Sequence, residues 1–135
     1  MEQTFQISNS AQAWLISRLF QEGEKITVIC ADRISCEKLA GDLEFFIGSK
    51  NVYQLPAWDT LPFEAVSPQH DISAQRLHAL HAVSNKLPHV VVTSIDSIIQ
   101  KVLPPKILKA LEFTLKAGLT MERDKLVEQL DLAGY

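Results

Sequence analysis

Several features that would place the chain in a functional class are missing from its 135 residues. No apolar run approaches the roughly 20 residues needed to cross a bilayer. The first twelve residues lack a basic stretch followed by an apolar one, so they do not read as a signal peptide. The formal charge is −3, whereas proteins that bind nucleic acid usually carry a basic patch. We therefore expect a cytoplasmic protein that neither enters a membrane nor binds DNA strongly by itself.

Cysteine and histidine are also scarce. The two cysteines, Cys30 and Cys36, are expected to be reduced thiols, because nothing marks the chain for export. His78 and His81 lie three residues apart on a predicted helix, with His70 and His89 nearby in sequence. Without a supporting carboxylate–histidine motif or a second cysteine pair, this spacing does not predict a metal site.

Strand and helix patterns alternate along the chain. Short apolar runs predict three strands, at residues 26–30, 51–55 and 89–93, with weaker strand patterns at residues 4–7 and 111–116. Helical spacing of apolar residues predicts helices at residues 11–21, 33–47, 72–84, 95–102, 105–110 and 121–130. The alternation predicts an α/β fold, a parallel sheet flanked by helices on both faces.

The apolar spacing also predicts which helix residues are buried. Trp14 is expected in the core, as is a stripe along the second helix formed by Leu39, Ala40, Leu43, Phe46 and Ile47. Inward positions predicted for the later helices are Ala74, Leu77, Leu80 and Val83, and then Ile95, Ile98, Ile99 and Val102.

Glycine and lysine are absent from the first strand-to-helix turn, residues 6–13. A phosphate-binding loop needs glycines so that the backbone can wrap the phosphates, and a lysine to reach them. Ser8, Asn9 and Ser10 occupy this position, and Ser10 alone cannot make the site. We interpret the turn as a degenerate phosphate loop, with no bound cofactor expected and at most weak anion attraction at the helix N-terminus.

Other polar residues have simpler structural roles than catalytic ones. Asp32 and Asp96 follow strand ends but fit helix capping or first-turn charge. Asp59 and Glu64 could form an acid/base pair, although Asp59 more simply bonds backbone amides in a turn. Ser94 and Ser97 have no base at motif spacing. We predict no catalytic residue in the chain.

The most unusual stretch is the crossing segment, residues 55–71. Three prolines, at positions 56, 62 and 68, forbid a continuous helix here. Leu55, Trp58, Leu61, Phe63 and Val66 are nevertheless too apolar for a free linker. Long apolar loops of this kind are usually functional or packed against the core.

This segment carries a resemblance to a known family. The matching residues are Pro56, Trp58, Asp59, Leu61, Pro62, Ser67, Pro68 and Asp71, followed by Arg76 and Leu77. They closely resemble the N-terminal region of bacterial transcription-repair coupling factors (Mfd), which is similar to the first domain of the excision-repair protein UvrB. Residues 26–40 and 90–98 are similar to strand–helix pieces of superfamily-two helicase motors. The resemblance runs from about Ser8 to Tyr135.

The resemblance implies a role for a larger protein. Such factors displace stalled RNA polymerase by ATP-driven DNA translocation and recruit UvrA, while their N-terminal module is a scaffold that contacts other domains. It implies that ATP and magnesium belong to a downstream motor, and that the eight signature residues are structural. Residues 1–110 would be a UvrB-like degenerate motor subdomain, and residues 111–135 the start of a truncated UvrA-docking domain.

Two other interpretations stay open. The chain could be a small nucleotide-binding α/β enzyme, or an unrelated α/β domain that binds a protein partner through an exposed Trp58.

Overall fold

The computed structural model describes residues 7, 10–60, 69–84, 88–111, 116–118, 120 and 122–133. The chain divides into two compact units, residues 1–101 and 102–135. The first contains α1 (Ser10–Gln21), β1 (Ile26–Cys30), α2 (Arg33–Ile47), a 3-10 turn (Ser49–Asn51), β2 (Val52–Leu55), α3 (His70–Ser84), β3 (Val90–Ser94) and α4 (Ile95–Ile98). The second contains α5 (Pro105–Leu111) and α6 (Arg123–Ala133).

The three strands of the first unit form a parallel sheet in the order β1-β3-β2. All five residues of β3, the central strand, are buried, as its uninterrupted apolar run predicts for a strand covered on both faces. Helix α2 packs against all three strands, and α3 packs against β2. The predicted α/β fold with a parallel sheet is confirmed.

One core joins α1, α2 and one face of the sheet. Val90 and Val92 point to this face, where they meet Leu39, Ala40 and Leu43 of α2. Leu43 and Ala40 have no exposed surface. The predicted stripe of α2 is therefore confirmed at Leu39, Ala40 and Leu43, because residues three and four apart share one side of a helix. Farther along the stripe, Ile47 is half-buried and Phe46 is exposed.

The start of α2 follows from local chemistry. Asp32 is extended, and its side chain accepts a hydrogen bond from the backbone N–H of Ser35 at 2.7 Å. This bond satisfies one of the N–H groups that the first turn of a helix leaves unpaired. It also holds the pKa of Asp32 below its usual value of 3.8. At the other end, Gly48 has a φ of 81°, a conformation in which glycine is favoured as a helix stop.

Three predictions of buried faces are wrong. Trp14 is 54% exposed, because α1 turns its small residues, Ala13 and Ser17, toward the interior. In α4 the side chains of Ile95 and Ile98 are 55% and 48% exposed, Ile99 just after it is 78% exposed, and the buried residue is Ser97. Val102 is 48% exposed.

The third error concerns α3. Its fully buried residues are Ile72, Arg76, Ala79 and Ala82. Of the predicted inward positions, Leu77 and Leu80 are half-buried, whereas Ala74 and Val83 are exposed. The true inward face contains an arginine, so its mean hydropathy does not separate it from the outer face. Packing of the small Ala79 and the contacts of Arg76, described below, fix the orientation of the helix instead.

The structure describes no strand at the two weaker strand patterns, residues 4–7 and 111–116. Residues 4–6 lie outside the described residues, and Ile7 has no regular structure. Leu111 is the last residue of α5, so the predicted strand at 111–116 is wrong at its first position, and residues 112–115 lie outside the described residues. None of the described helices is both long and apolar enough to cross a membrane.

Truncating the core leucine tests this packing. Leu43→Ala should lower the free energy of unfolding by about 2–5 kcal/mol, because it removes buried methyl groups and leaves a cavity. The matched control on the same helix is Phe45→Ala, since Phe45 is 86% exposed, and surface changes usually stay within about 0.5 kcal/mol. Urea melts of both variants measure the difference. Equal effects would contradict the assigned face of α2.

The cap predicts a pH dependence. Because the folded-state pKa of Asp32 is lowered, its stabilisation is fully present above the unfolded value, near 3.8, and is lost as the pH falls through the folded value. Asp32→Ala should therefore cost stability at pH 6 and cost progressively less below pH 3.8. Asp32→Asn is the control, because its amide oxygen can still cap the helix without titrating. Denaturant melts over a pH series measure the loss of unfolding free energy in Asp32→Ala. A loss that is the same at every pH would contradict the cap.

Candidate functional site: the Arg76 cluster

The carboxyl ends of parallel strands meet at one edge of a sheet, which is where α/β proteins place their ligands. In this chain Pro56 and Trp58 follow β2, while Ser97 and Gln100 follow β3. Helix α3 adds Arg76 between them. We call these five residues the Arg76 cluster.

Arg76 is the centre of the cluster. It is 2% exposed, and its Nη1 atom donates to the carbonyl oxygen of Pro56. The same nitrogen lies 3.2 Å from Ser97 Oγ and 3.4 Å from Gln100 Oε1. One side chain therefore connects α3 to the segments that follow two different strands.

The ring of Trp58 packs against one face of the Arg76 guanidinium. The Arg76 guanidinium carbon lies 4.4 Å from the centre of the Trp58 ring, within the range at which the ring face attracts a cation. The backbone N–H of Trp58 donates to Gln100 Oε1 at 2.8 Å. Trp58 is half-buried, so this residue has a structural contact that accounts for its position.

The buried charge has an energetic cost. Burial lowers the pKa of Arg76 from its usual value, since removing a cation from water disfavours the charged form. Its Nε and Nη2 atoms have no hydrogen-bond partner among the described residues. The Pro56 carbonyl and the Trp58 ring offset part of this cost, and removing either would leave the guanidinium less well compensated.

Hydroxyl groups add two further bonds at the same edge. Ser97 Oγ donates to the Pro56 carbonyl at 3.0 Å, and Thr93 Oγ1 donates to the Leu55 carbonyl at 2.9 Å. Both bonds tie the end of β2 to residues in or just after β3. Because the Ser97 proton is engaged with a carbonyl oxygen, this geometry does not activate Ser97 as a nucleophile, for which a base must accept the proton.

The signature residues divide between described and undescribed positions. Pro56 and Trp58 belong to the Arg76 cluster, and the exposed Asp59 accepts a 3.4 Å hydrogen bond from the backbone N–H of Gln69. This bond joins the two described ends of the crossing segment. Asp71 is exposed in the first turn of α3. Leu61, Pro62, Ser67 and Pro68 lie outside the described residues, as does Glu64.

The other candidates do not join this cluster. Ser10 is the exposed first residue of α1, whereas Ser8 and Asn9 lie outside the described residues. Within the part of the chain that the structure describes, no group of three or more potential ligands could hold a metal ion. Both cysteines are free, and burial, followed by the neighbouring Cys30, raises the pKa of Cys36 to about 12. A thiol with such a pKa is a poor nucleophile at neutral pH.

Sequence reasoning did not single out Arg76, Ser97 or Gln100 as a group. Arg76 appeared only inside the family signature, and Ser97 only as a catalytic candidate without a partner. One signal was available, since Ile72, Arg76 and Ala79 follow i, i+4 and i+7 spacing. A single arginine on such a face is compatible with burial if its donors find acceptors, but spacing alone does not show that they do.

Together, the parallel sheet and the Arg76 cluster define an α/β module in which hydrogen bonds hold residues 55–58, the start of the crossing segment, against the carboxyl edge. No family model matches the chain. It is 31% identical over 126 residues to the transcription-repair-coupling factor of Haemophilus influenzae, covering 93% of this chain and 11% of that protein. The namesake proteins of Escherichia coli and Myxococcus xanthus are 28% and 32% identical, over 96% and 82% of this chain.

These matches identify the chain as a segment of a transcription-repair-coupling factor, which confirms the resemblance found in the sequence. The segment spans about a tenth of the length of the three curated relatives.

A double-mutant cycle tests the contact between Trp58 and Arg76. Trp58→Leu and Arg76→Met should each destabilise the fold, and their effects should be coupled by about 0.5–2 kcal/mol, the range for a partly desolvated cation over an aromatic ring. The control cycle pairs Arg76→Met with Trp14→Leu on the exposed face of α1, where the effects should add within about 0.5 kcal/mol. Additive behaviour at Trp58 as well would contradict the contact.

Proposed function

We propose that this segment is a non-catalytic scaffold, the UvrB-like N-terminal module of its transcription-repair-coupling factor. In this proposal the whole protein displaces stalled RNA polymerase by ATP-driven translocation on DNA and recruits UvrA. The segment supports that work through its shape and its contacts with other domains. Residues 1–110 form the degenerate motor subdomain, and residues 111–135 begin the UvrA-docking domain.

The similarity over 93% of the chain to a named coupling factor carries this proposal. A second observation supports the non-catalytic part. Residues 6–13 contain no glycine and no lysine, so the turn before α1 lacks the groups that bind phosphate in working motors of this class. ATP and magnesium would then be bound by a downstream motor and not by this segment.

The Arg76 cluster supports a structural role for the signature. Several of its polar atoms bond within the cluster: Arg76 and Ser97 both donate to the Pro56 carbonyl, and Gln100 accepts from the Trp58 backbone. Trp58 is half-buried against the guanidinium. This arrangement favours a structural role for Trp58 over the alternative of an unrelated domain that binds partners through an exposed Trp58.

Nucleotide titration separates the scaffold from the enzyme alternative. Calorimetric titration of the chain with ATP and magnesium should show no saturable heat at concentrations up to about 1 mM, the upper end of common Michaelis constants. The degenerate turn offers the triphosphate too few donors for tighter binding.

The complete coupling factor is the positive control. Under the same conditions it should bind ATP through its downstream motor, which shows that the assay detects binding to this family. A saturable isotherm for the chain alone would overturn the non-catalytic proposal and favour a small nucleotide-binding enzyme. The absence of saturable heat for both proteins would instead count against the proposed ATP-driven role of the whole factor.

A further inference from the structure

The fold brings together the two cysteines of the chain, Cys30 and Cys36. Cys30 is the last residue of β1, where it pairs in register with Ser94 of β3. Cys36 lies one turn into α2, and its backbone N–H donates to the carbonyl of Asp32 at 3.2 Å. Both cysteine side chains pack in the core that joins the sheet to α2. Two hydrogen-bonded elements therefore fix the separation of the two thiols.

The two thiol groups are in direct contact. Burial first, and then a hydrogen bond with the Cys30 side chain, raise the pKa of the Cys36 thiol to about 12. A hydrogen bond raises a pKa when the protonated form makes it, so the S–H of Cys36 donates to the sulfur of Cys30. Sulfur atoms in this contact need only a short further approach to reach the S–S bonding distance of about 2.05 Å.

The surroundings of the two cysteines differ. Cys36 is 7% exposed, whereas Cys30 is half-buried and lines a groove of about 560 Å³ together with Ala31 and Ser35. The groove gives a small solute a path to Cys30 but not to Cys36, which is not among its lining residues. The pair therefore consists of an accessible thiol that can react first and a buried thiol that can resolve the product.

Metal binding by the two thiols is less well supported. A metal ion needs both sulfur ligands deprotonated, and with a pKa of about 12 the Cys36 thiol keeps its proton at neutral pH. Among the residues that the structure describes, no third ligand completes a metal-binding group. Oxidation of the pair requires neither condition.

We propose that Cys30 and Cys36 form a reversible redox site, at which hydrogen peroxide converts the two thiols to an intramolecular disulfide. The Cys30 thiol loses its proton to solvent, and its sulfur attacks one peroxide oxygen. The O–O bond breaks, and the leaving hydroxide takes up a proton to become water, which leaves Cys30 as a sulfenic acid.

The second step closes the disulfide. The Cys36 sulfur attacks the sulfur of the Cys30 sulfenic acid, the S–O bond breaks and the S–S bond forms. The leaving hydroxide combines with the proton of Cys36 as a second molecule of water. The two thiols thus lose two electrons in total, and the peroxide accepts both.

The disulfide joins the end of β1 to the beginning of α2, across the cap at Asp32. A crosslink that fits the native geometry stabilises a fold, because it restricts the unfolded chain more than the folded one. Oxidation should therefore stabilise the first unit, and reduction should reverse the effect. The site needs neither nucleotide nor DNA, so its test is separate from that of the proposed function.

Mass spectrometry after treatment with hydrogen peroxide tests the proposal directly. Before treatment, maleimide in denaturant should label both cysteines of the chain. After treatment it should label neither, and the monomer mass should fall by about 2 Da, the two hydrogen atoms lost on disulfide formation. Dithiothreitol should restore both labels. Since the chain has two cysteines in all, the labelling reports this pair alone.

Two single variants separate the roles of the cysteines. In Cys36→Ala, peroxide should leave Cys30 as a sulfenic acid that dimedone traps, because the resolving thiol is gone. In Cys30→Ala, Cys36 should stay reduced under the same treatment, since it is buried and protonated. Oxidation of Cys36 without Cys30 would overturn the assigned order of steps.

Equilibration with reduced and oxidised glutathione measures whether the fold brings the thiols together. The ratio of disulfide to dithiol should be on the order of 10-fold or more higher in the native chain than in urea, because the native contact favours closure. The matched control combines Cys36→Ala with Lys38→Cys. It keeps two cysteines but moves one by about 200° around α2, to an exposed position, so its ratio should be lower in the native chain than in urea.

The complete coupling factor should behave in the same way. Peptide mapping after peroxide treatment should find the crosslink between Cys30 and Cys36 there as well. Three outcomes would overturn the proposal: disulfide-linked dimers in place of the internal crosslink, an equal or lower disulfide ratio in the native chain than in urea, and a Cys30 that does not react in the complete factor. The comparison of native chain and urea needs no substitution, so it holds even if a variant fails to fold.

Discussion

The bond between the Arg76 guanidinium and the Pro56 carbonyl is the contact on which the carboxyl edge of the sheet depends. It places a cation in the interior, where the charge is stable only if acceptors and a ring face surround it. Ser97, Gln100 and Trp58 supply these groups. Because they come from separate stretches of chain, the requirement to compensate one charge fixes the ends of two strands and one helix together.

This constraint also accounts for two of the signature residues, Pro56 and Trp58, at the start of the crossing segment. Pro56 cannot donate a backbone hydrogen bond, but its carbonyl accepts from both Arg76 and Ser97. Trp58 places its ring over the guanidinium and its N–H on Gln100. The described polar contacts at this edge therefore join α3 to the segments that follow β2 and β3.

The elements of the first unit were predictable because their signals are local. The apolar runs of β1 and β3 and the cap at Asp32 depend on neighbouring residues alone. The orientation of helices was less predictable. Trp14 and the isoleucines of α4 were expected in the core because they are apolar, yet Ala13 and Ser97 are buried instead. Small residues allow close approach of helix and sheet, and hydropathy does not measure that.

By itself, the sequence determined the α/β class, the helix start at Asp32 and the membership in the coupling-factor family, since each depends on residue order and spacing. The tertiary structure alone decided that β3 lies between β1 and β2 and that Arg76 faces inward. These properties depend on contacts between residues far apart in the chain. Residue spacing does not identify the partners in such contacts, because packing and the need to pair buried polar atoms determine them.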